Sequence, residues 1–163
     1  MNAFLTIFFR WLHIVPACLA LGGLVIMRFV LPAGLSQIPE EHRAPVLNKC
    51  RRIFKMVIHT SILLFLISGA YNSYRNFPVY GEIKPMGHAL WGLHIMFGLI
   101  VIGIALMILT PKQHSPSHRP WMVVNIVLIL IIIALGSSLK YVRDNRAKPI
   151  GPVFNKMQLA EKA

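Results

Sequence analysis

Acidic side chains are scarce in this chain of 163 residues, which has 5 Asp and Glu against 17 Lys and Arg. None of the acidic residues lies inside the long apolar runs that dominate the sequence. This excludes a pair of catalytic carboxylates and an acidic proton relay within those runs. The chain also has no Walker loop, no Gly-x-Ser-x-Gly and no HExxH, which mark nucleotide-binding proteins, serine hydrolases and zinc proteases.

Sulfur-containing side chains give no clear metal or disulfide pattern either. Cys18 lies within an apolar run and Cys50 near a loop end, and the two form no CxxC pair and no disulfide framework. We interpret both as inert thiols. The 8 methionines are scattered without a repeated Met-x-x-Met pair, so they give little support for a copper(I) site.

Charged residues make up only 13% of the chain and hydrophobic residues 56%, whereas about a quarter of a soluble domain is charged. Four apolar runs cover roughly 3–31, 54–74, 88–110 and 120–139. Each reaches the ~20 residues that a helix needs to cross ~30 Å of hydrocarbon. The sequence therefore predicts an all-α, integral membrane four-helix bundle over residues 1–142, followed by a basic polar tail over 143–163.

The charges indicate which partners to expect. The formal net charge is +12, and the cations lie mostly at run ends and in loops, where they meet anionic lipid headgroups. We therefore expect a lipid bilayer as partner, not nucleic acid. The first run is too long for a signal peptide, carries Arg10 and His13, and lacks a cleavage site, so we expect it to be retained.

Four spans divide the loops between two sides of a membrane, for which we predict the inner (cytoplasmic) membrane. The N-terminus, the 75–87 loop and the tail share one side, here called side A. The 32–53 and 111–119 loops share the other, side B. Lys and Arg are almost balanced between the two sides, so the positive-inside rule leaves the orientation open.

Two histidines lie within spans in similar local sequences, Trp11-Leu12-His13-Ile14 and Trp91-Gly92-Leu93-His94-Ile95. Counted from side A, they lie ~14 Å and ~10 Å along their helices, which is nearly the same depth. Ionisable groups at membrane depth are rare and often functional. We therefore predict that the two imidazoles face each other and ligate haem iron. The alternative is that each one forms an ordinary hydrogen bond across the bundle.

Three more residues belong to this hypothesis. Arg10 lies one turn outside His13 and is the best candidate for pairing with a haem propionate. We expect Trp91 to pack near the macrocycle. His59 enters from side B near Lys55 and is either a ligand for a second haem or quinone headgroup or an ordinary hydrogen-bonded histidine.

Parts of the chain resemble known membrane families. Arg10-Trp11-Leu12-His13, Gly22-Gly23 and Leu31-Pro32-Ala33 resemble the first span of the copper-resistance D membrane domain. The segment from Arg51-Arg52-Ile53-Phe54 through Ser68-Gly69-Ala70-Tyr71-Asn72 resembles the second span of that domain. The third span, Trp91 to Leu109, is similar to that domain and to the membrane protoporphyrinogen oxidases, a haem-b-associated four-helix group.

The resemblance implies a four-helix membrane bundle with haem ligation near His13, or a role in copper uptake. Those oxidases carry a lysine two residues after the third-span histidine, where this chain has Met96. This departure argues against protoporphyrinogen oxidation.

These observations lead to three functional hypotheses. The first is a b-type cytochrome-like protein that binds haem between His13 and His94 and exchanges electrons with a quinone or a partner redox protein. The second is a copper or small-solute transporter, and the third is a non-catalytic subunit of a larger membrane complex. Whether the protein is an enzyme, which donor and acceptor it uses and its oligomeric state stay open.

Overall fold

The structure, a computed structural model, describes residues 3–82, 86–110 and 119–146. These residues are helical apart from short connecting segments, and they form the following elements: α1 (Ala3–Val25), a π-helical turn (Ile26–Val30), α2 (Leu31–Leu35), α3 (Glu40–Glu82), α4 (Met86–Ile108) and α5 (Arg119–Arg146). Four helical stretches in this part of the chain are long and apolar enough to cross a membrane. The prediction of an all-α, multi-pass membrane bundle is confirmed.

The helices form two antiparallel pairs. α1 packs mainly against α3, and α4 packs mainly against α5, while smaller contacts join α3 to α4 and α1 to α5. The order around the bundle is therefore α1, α3, α4, α5, which places α1 diagonally opposite α4. Side chains on α1 and α4 can meet only across the interior, and α3 and α5 flank the space between them.

Apolar side chains fill the half of the bundle near side B. The cluster is built from one or two residues of each long helix and from Leu109, directly after α4: Ala20, Leu24, Phe54, Ile58, Ala105, Ile108, Leu109 and Ile129. Many outward side chains are apolar too, such as Leu63 and Leu99, which are 58% and 60% exposed. Because the hydrocarbon of a bilayer solvates such a surface, this pattern is typical of a membrane bundle.

Several helix ends differ from the predicted ones. The predicted 32–53 loop is wrong, because the first helical stretch continues to Leu35 and α3 begins at Glu40. Glu40 and Glu41 lie in the first turn of α3, where negative charge stabilises the positive end of the helix dipole. α5 likewise continues to Arg146, four residues into the predicted tail, and the rest of that tail lies outside the described residues.

Candidate functional site

The structure brings His13 of α1 and His94 of α4 together across the interior. Their ring centroids are 6.4 Å apart, and the ring planes are tilted by 37°. Both side chains are half-buried. Two histidines separated by about half of the chain therefore share one layer of the bundle, as their matched depth predicted.

The hydrogen bonds of Ser68 determine which nitrogen of His13 carries the proton. The Ser68 hydroxyl is fully buried, and its Oγ lies 2.6 Å from the Leu64 carbonyl oxygen of its own helix. A carbonyl only accepts, so the single hydroxyl proton is donated to Leu64. His13 Nδ1, 2.9 Å from the same Oγ, must then donate its own proton to Ser68. This leaves the lone pair of His13 on Nε2, the nitrogen that is free to ligate a metal.

A glycine on a flanking helix faces each histidine ring. A Cβ at Gly69 of α3 would lie 3.6 Å from His13 Cε1, and a Cβ at Gly136 of α5 would lie 3.4 Å from His94 Cε1. The two hairpins, α1 with α3 and α4 with α5, thus repeat one arrangement, in which a histidine on the first helix packs against a glycine on the second. Each ring therefore packs directly against a glycine, and a Cβ at either position would be in van der Waals contact with the ring.

The repeat is imperfect at one position. Ser68 precedes Gly69 on α3, whereas Leu135 precedes Gly136 on α5. Leucine offers no hydrogen-bonding group, and His94 Nδ1 is buried without a hydrogen-bond partner. The tautomer of His13 is therefore held by a neighbour, and that of His94 is not held at Nδ1.

These residues fit a haem. Two imidazole nitrogens at ~2.0–2.1 Å on opposite sides of one metal place the ring centroids about 6 Å apart, close to the 6.4 Å observed. His13 of α1 and His94 of α4 would hold the group, with Gly69 of α3 and Gly136 of α5 packed against the two rings.

A bare metal ion fits less well. Within residues 3–82, 86–110 and 119–146, no group of three or more His, Cys, Asp and Glu side chains is placed to hold a metal ion. Protein zinc sites use at least three such ligands. Two histidines suffice only for a metal that arrives with further ligands of its own, as the iron of haem does.

No protein-family model matches the chain, and no solved structure does. A protein of Aquifex aeolicus (strain VF5), described as an uncharacterized protein, is 24% identical over 134 residues, which cover 78% of this chain and 90% of that protein. The similarity extends across most of both chains. The resemblance to the copper-resistance D and protoporphyrinogen oxidase families stays a prediction.

The other predicted site residues lie farther from the ring pair. Arg10 is exposed at the side-A end of α1 and interacts with Tyr80 of α3. Trp91 packs edge-to-face on Phe77, with ring centroids 5.5 Å apart. His59 is exposed on α3 and its Nδ1 donates to the Lys55 carbonyl oxygen 2.7 Å away, so it lies outside the interior.

A set of amide side chains on α3 ties the bundle together above the histidines, toward side A. Asn72 Nδ2 donates to the Phe9 carbonyl oxygen of α1, and Asn76 Nδ2 donates to the carbonyl oxygen of Asn72. Arg143 of α5 in turn donates to Asn76 Oδ1 at 3.2 Å. These bonds join α1, α3 and α5 at one level and fix the frame in which the rings are held.

The sequence hypothesis missed the contacts that orient the histidines. Ser68 was visible as a polar residue near the end of the second span, but its partner was not. Gly69 and Gly136 could have been suggested by their small size and by their position at the depth of the histidines. This signal is weak, because glycines are common in membrane helices. Which of them face a histidine depends on helix rotation, which the sequence does not give directly.

Proposed function

We propose that this protein is a membrane b-type cytochrome that binds haem b between His13 and His94. It passes electrons to or from a quinone or a partner redox protein within the inner membrane. Bound haem supplies reversible one-electron chemistry, whose potential the axial ligands and their hydrogen bonds adjust. His13 and His94 would hold the haem through ring nitrogens, and the apolar helices around them would give it a low-dielectric surrounding.

The observation that carries the proposal is the pair of rings 6.4 Å apart across the interior, with His13 in the tautomer that leaves the Nε2 lone pair free. Metal-bound histidines almost always donate their second ring N–H to a neighbouring acceptor, which fixes the ring and raises its basicity. His13 has this arrangement through Ser68.

Side A provides the positive charge that haem propionates require. Arg10 lies three residues before His13, one helical turn toward side A, and is exposed. A guanidinium there forms charge-assisted hydrogen bonds with carboxylates. Trp91 lies one turn before His94 on the same side, at the level where the outer edge of a macrocycle would lie.

The test is an absorption spectrum of the protein purified in mild detergent from haem-replete cells, first oxidised and then reduced with dithionite. We expect a Soret band and a reduced-state α-band in the wild type. His13→Ala and His94→Ala should lose both bands, because each removes one axial ligand.

His59→Ala is the matched control, since His59 is also a membrane-span histidine on a long helix but is exposed. It should keep the wild-type spectrum and haem content. A colourless preparation from haem-replete cells overturns the proposal. Copper bound in that colourless protein would support the copper-transport alternative instead.

A further inference from the structure

The two hairpins surround their histidines with different residues, although each packs its histidine against a glycine. Gly69 of α3 faces the His13 ring, and Gly136 of α5 faces the His94 ring. Aligning the two glycines pairs residues of α3 with residues of α5: Phe65 with Ile132, Ser68 with Leu135, and Asn72 with Leu139. In each pair the α3 residue is aromatic or polar and the α5 residue is aliphatic.

His13 is held by α3 in two ways. Its Nδ1 donates to the Ser68 hydroxyl at 2.9 Å, and the Phe65 ring packs edge-to-face on the imidazole, with ring centroids 5.1 Å apart. Asn72 adds a hydrogen bond from α3 to the Phe9 carbonyl oxygen of α1, one turn before His13. The tautomer and the orientation of the His13 ring are therefore both fixed.

His94 lacks the corresponding contacts with α5. Its Nδ1 is buried without a hydrogen-bond partner, and Leu135 offers it none. Among the described residues, the one aromatic ring that packs against His94 is that of His13. The backbone of Ile132 interacts with the His94 ring, so this histidine has a protein partner on α5 that does not depend on a metal.

This difference ranks the two histidines as metal ligands. A partner that accepts the proton of the second ring nitrogen makes the ligating nitrogen more basic, and loss of such a partner typically lowers metal affinity about 10–100-fold. By this criterion His13, with Ser68, is the stronger ligand, and His94, beside Leu135, is the weaker. A competing ligand replaces the weaker of two axial ligands.

The surroundings of His94 favour a small neutral molecule as that competitor. His94 lies within a membrane span, and the corresponding positions on α5 carry the aliphatic Ile132 and Leu135. An anion or a cation would lose its hydration at such a place at high cost. Carbon monoxide and nitric oxide carry no charge, dissolve in hydrocarbon and bind ferrous haem iron.

We propose that His94 is an exchangeable axial ligand and that a neutral diatomic ligand, CO or NO, binds the haem iron in its place. For CO, the bond between iron and the His94 nitrogen breaks and a bond between iron and carbon forms. No electron is transferred, and His13 stays bound. This inference rests on the proposed function, to which it adds the binding of a ligand from outside the protein.

The experiment is a titration of the dithionite-reduced wild-type protein with CO in mild detergent, followed by absorption. We expect CO to shift the Soret band and to replace the reduced-state α-band. Haem should stay bound, because CO itself fills the vacated position. Leu135→Ser should raise the CO concentration needed for half-saturation about 10–100-fold, because its hydroxyl can accept the His94 Nδ1 proton as Ser68 accepts that of His13.

Leu130→Ser is the matched control. It makes the same substitution on the same helix, at a side chain that is 52% exposed on the outer surface of the bundle. It should leave the CO titration unchanged. Leu135→Thr introduces the same hydroxyl and replaces Leu135→Ser if that variant does not fold. Equal half-saturation in the wild type and in the folded variant at position 135 overturns the proposal.

The titration also separates this inference from the proposed function. A wild-type Soret band that CO does not shift overturns the exchange of His94 and leaves haem binding in place. A wild type without a Soret band overturns both. A shifted band whose CO dependence weakens in Leu135→Ser, but not in Leu130→Ser, supports both.

Discussion

Ser68 accepts the Nδ1 proton of His13 while donating its own proton to Leu64, so one buried hydroxyl fixes the tautomer of a membrane-span histidine. This contact joins α1 to α3 at the depth where α4 presents His94. The functional account depends on this pair of rings, in which the tautomer of His13 is set by Ser68.

Ser68→Ala tests the orienting role. The substitution removes the acceptor of the His13 Nδ1 proton and leaves the imidazole in place, and loss of such an outer partner typically lowers metal affinity about 10–100-fold. We expect weaker haem retention in a competition assay with a haem-binding apoprotein. Ser138→Ala is the control, because the Ser138 hydroxyl also donates to a carbonyl of its own helix, that of Ala134, but is exposed. Equal haem retention in the two variants would remove Ser68 from the site.

Gly136→Val tests the space beside His94. A bare Cβ at this position already lies 3.4 Å from His94 Cε1, so the two methyl groups of valine must displace the ring. Overpacking of this kind costs about 1–3 kcal/mol. We expect lost or altered haem absorbance in a protein that still inserts and remains helical by circular dichroism. Gly103→Val is the control, since no atom lies within 4 Å of a Cβ at Gly103. Unchanged absorbance in Gly136→Val would mean that no ligand holds the ring there.

Two adjacent glycines give a matched test of the packing near side B. A Cβ at Gly23 would lie 3.1 Å from Phe54 Cε2, and Phe54 is only 7% exposed, whereas a Cβ at Gly22 meets no atom within 4 Å. Both alanine variants gain helix propensity, but only Gly23→Ala must also move a buried ring. We expect Gly23→Ala to be less stable than Gly22→Ala by about 1–3 kcal/mol.

The measurement for this pair is denaturant unfolding in mixed micelles, followed by circular dichroism. Equal unfolding free energies for the two variants would show that the Phe54 ring moves without a loss of stability. The close contact between α1 and α3 at Gly23 and Phe54 would then be contradicted.

Asn125 is a buried polar residue whose energetic cost can be measured. It is 1% exposed on α5, and neither its amide nitrogen nor its amide oxygen has a hydrogen-bond partner. Leaving such a group unsatisfied costs about 1–3 kcal/mol, so Asn125→Leu should raise the free energy of unfolding by a similar amount. Thermal unfolding in detergent measures this change. Asn125→Asp should lower the stability of the protein, because it places a carboxyl group at the same buried position. A loss of stability in Asn125→Leu would reveal a partner for the amide in the membrane.

The sequence was sufficient to predict the fold because a membrane imposes a length and an apolar composition on each helix. The four apolar runs correspond to the four helical stretches that can span a membrane. The start of α3 was predicted too late in the chain, because its first turns, from Glu40 onward, are charged and carry no hydrophobic signal. Helix outside the bilayer follows local propensity and capping, which are weaker signals than hydropathy.

The histidine pair could be predicted from depth alone, since rise per residue converts sequence position into height in the membrane. Rotation about each helix axis is harder to predict, because nearly every face of these helices is apolar. For this reason the partners of the rings, Ser68, Gly69 and Gly136, came only from the structure. The contact between Trp91 and Phe77 of α3 likewise came only from the structure, and the placing of Trp91 near a macrocycle stays a prediction.

The most direct test of the account is rescue of a deleted ligand by free imidazole. His94→Gly and His13→Gly should each lack the Soret and α-bands of haem, and added imidazole should restore the bands by occupying the vacated position on the iron. His59→Gly should keep its bands without imidazole. Haem bands that persist in both His94→Gly and His13→Gly, or a wild type that contains no haem, would contradict the account.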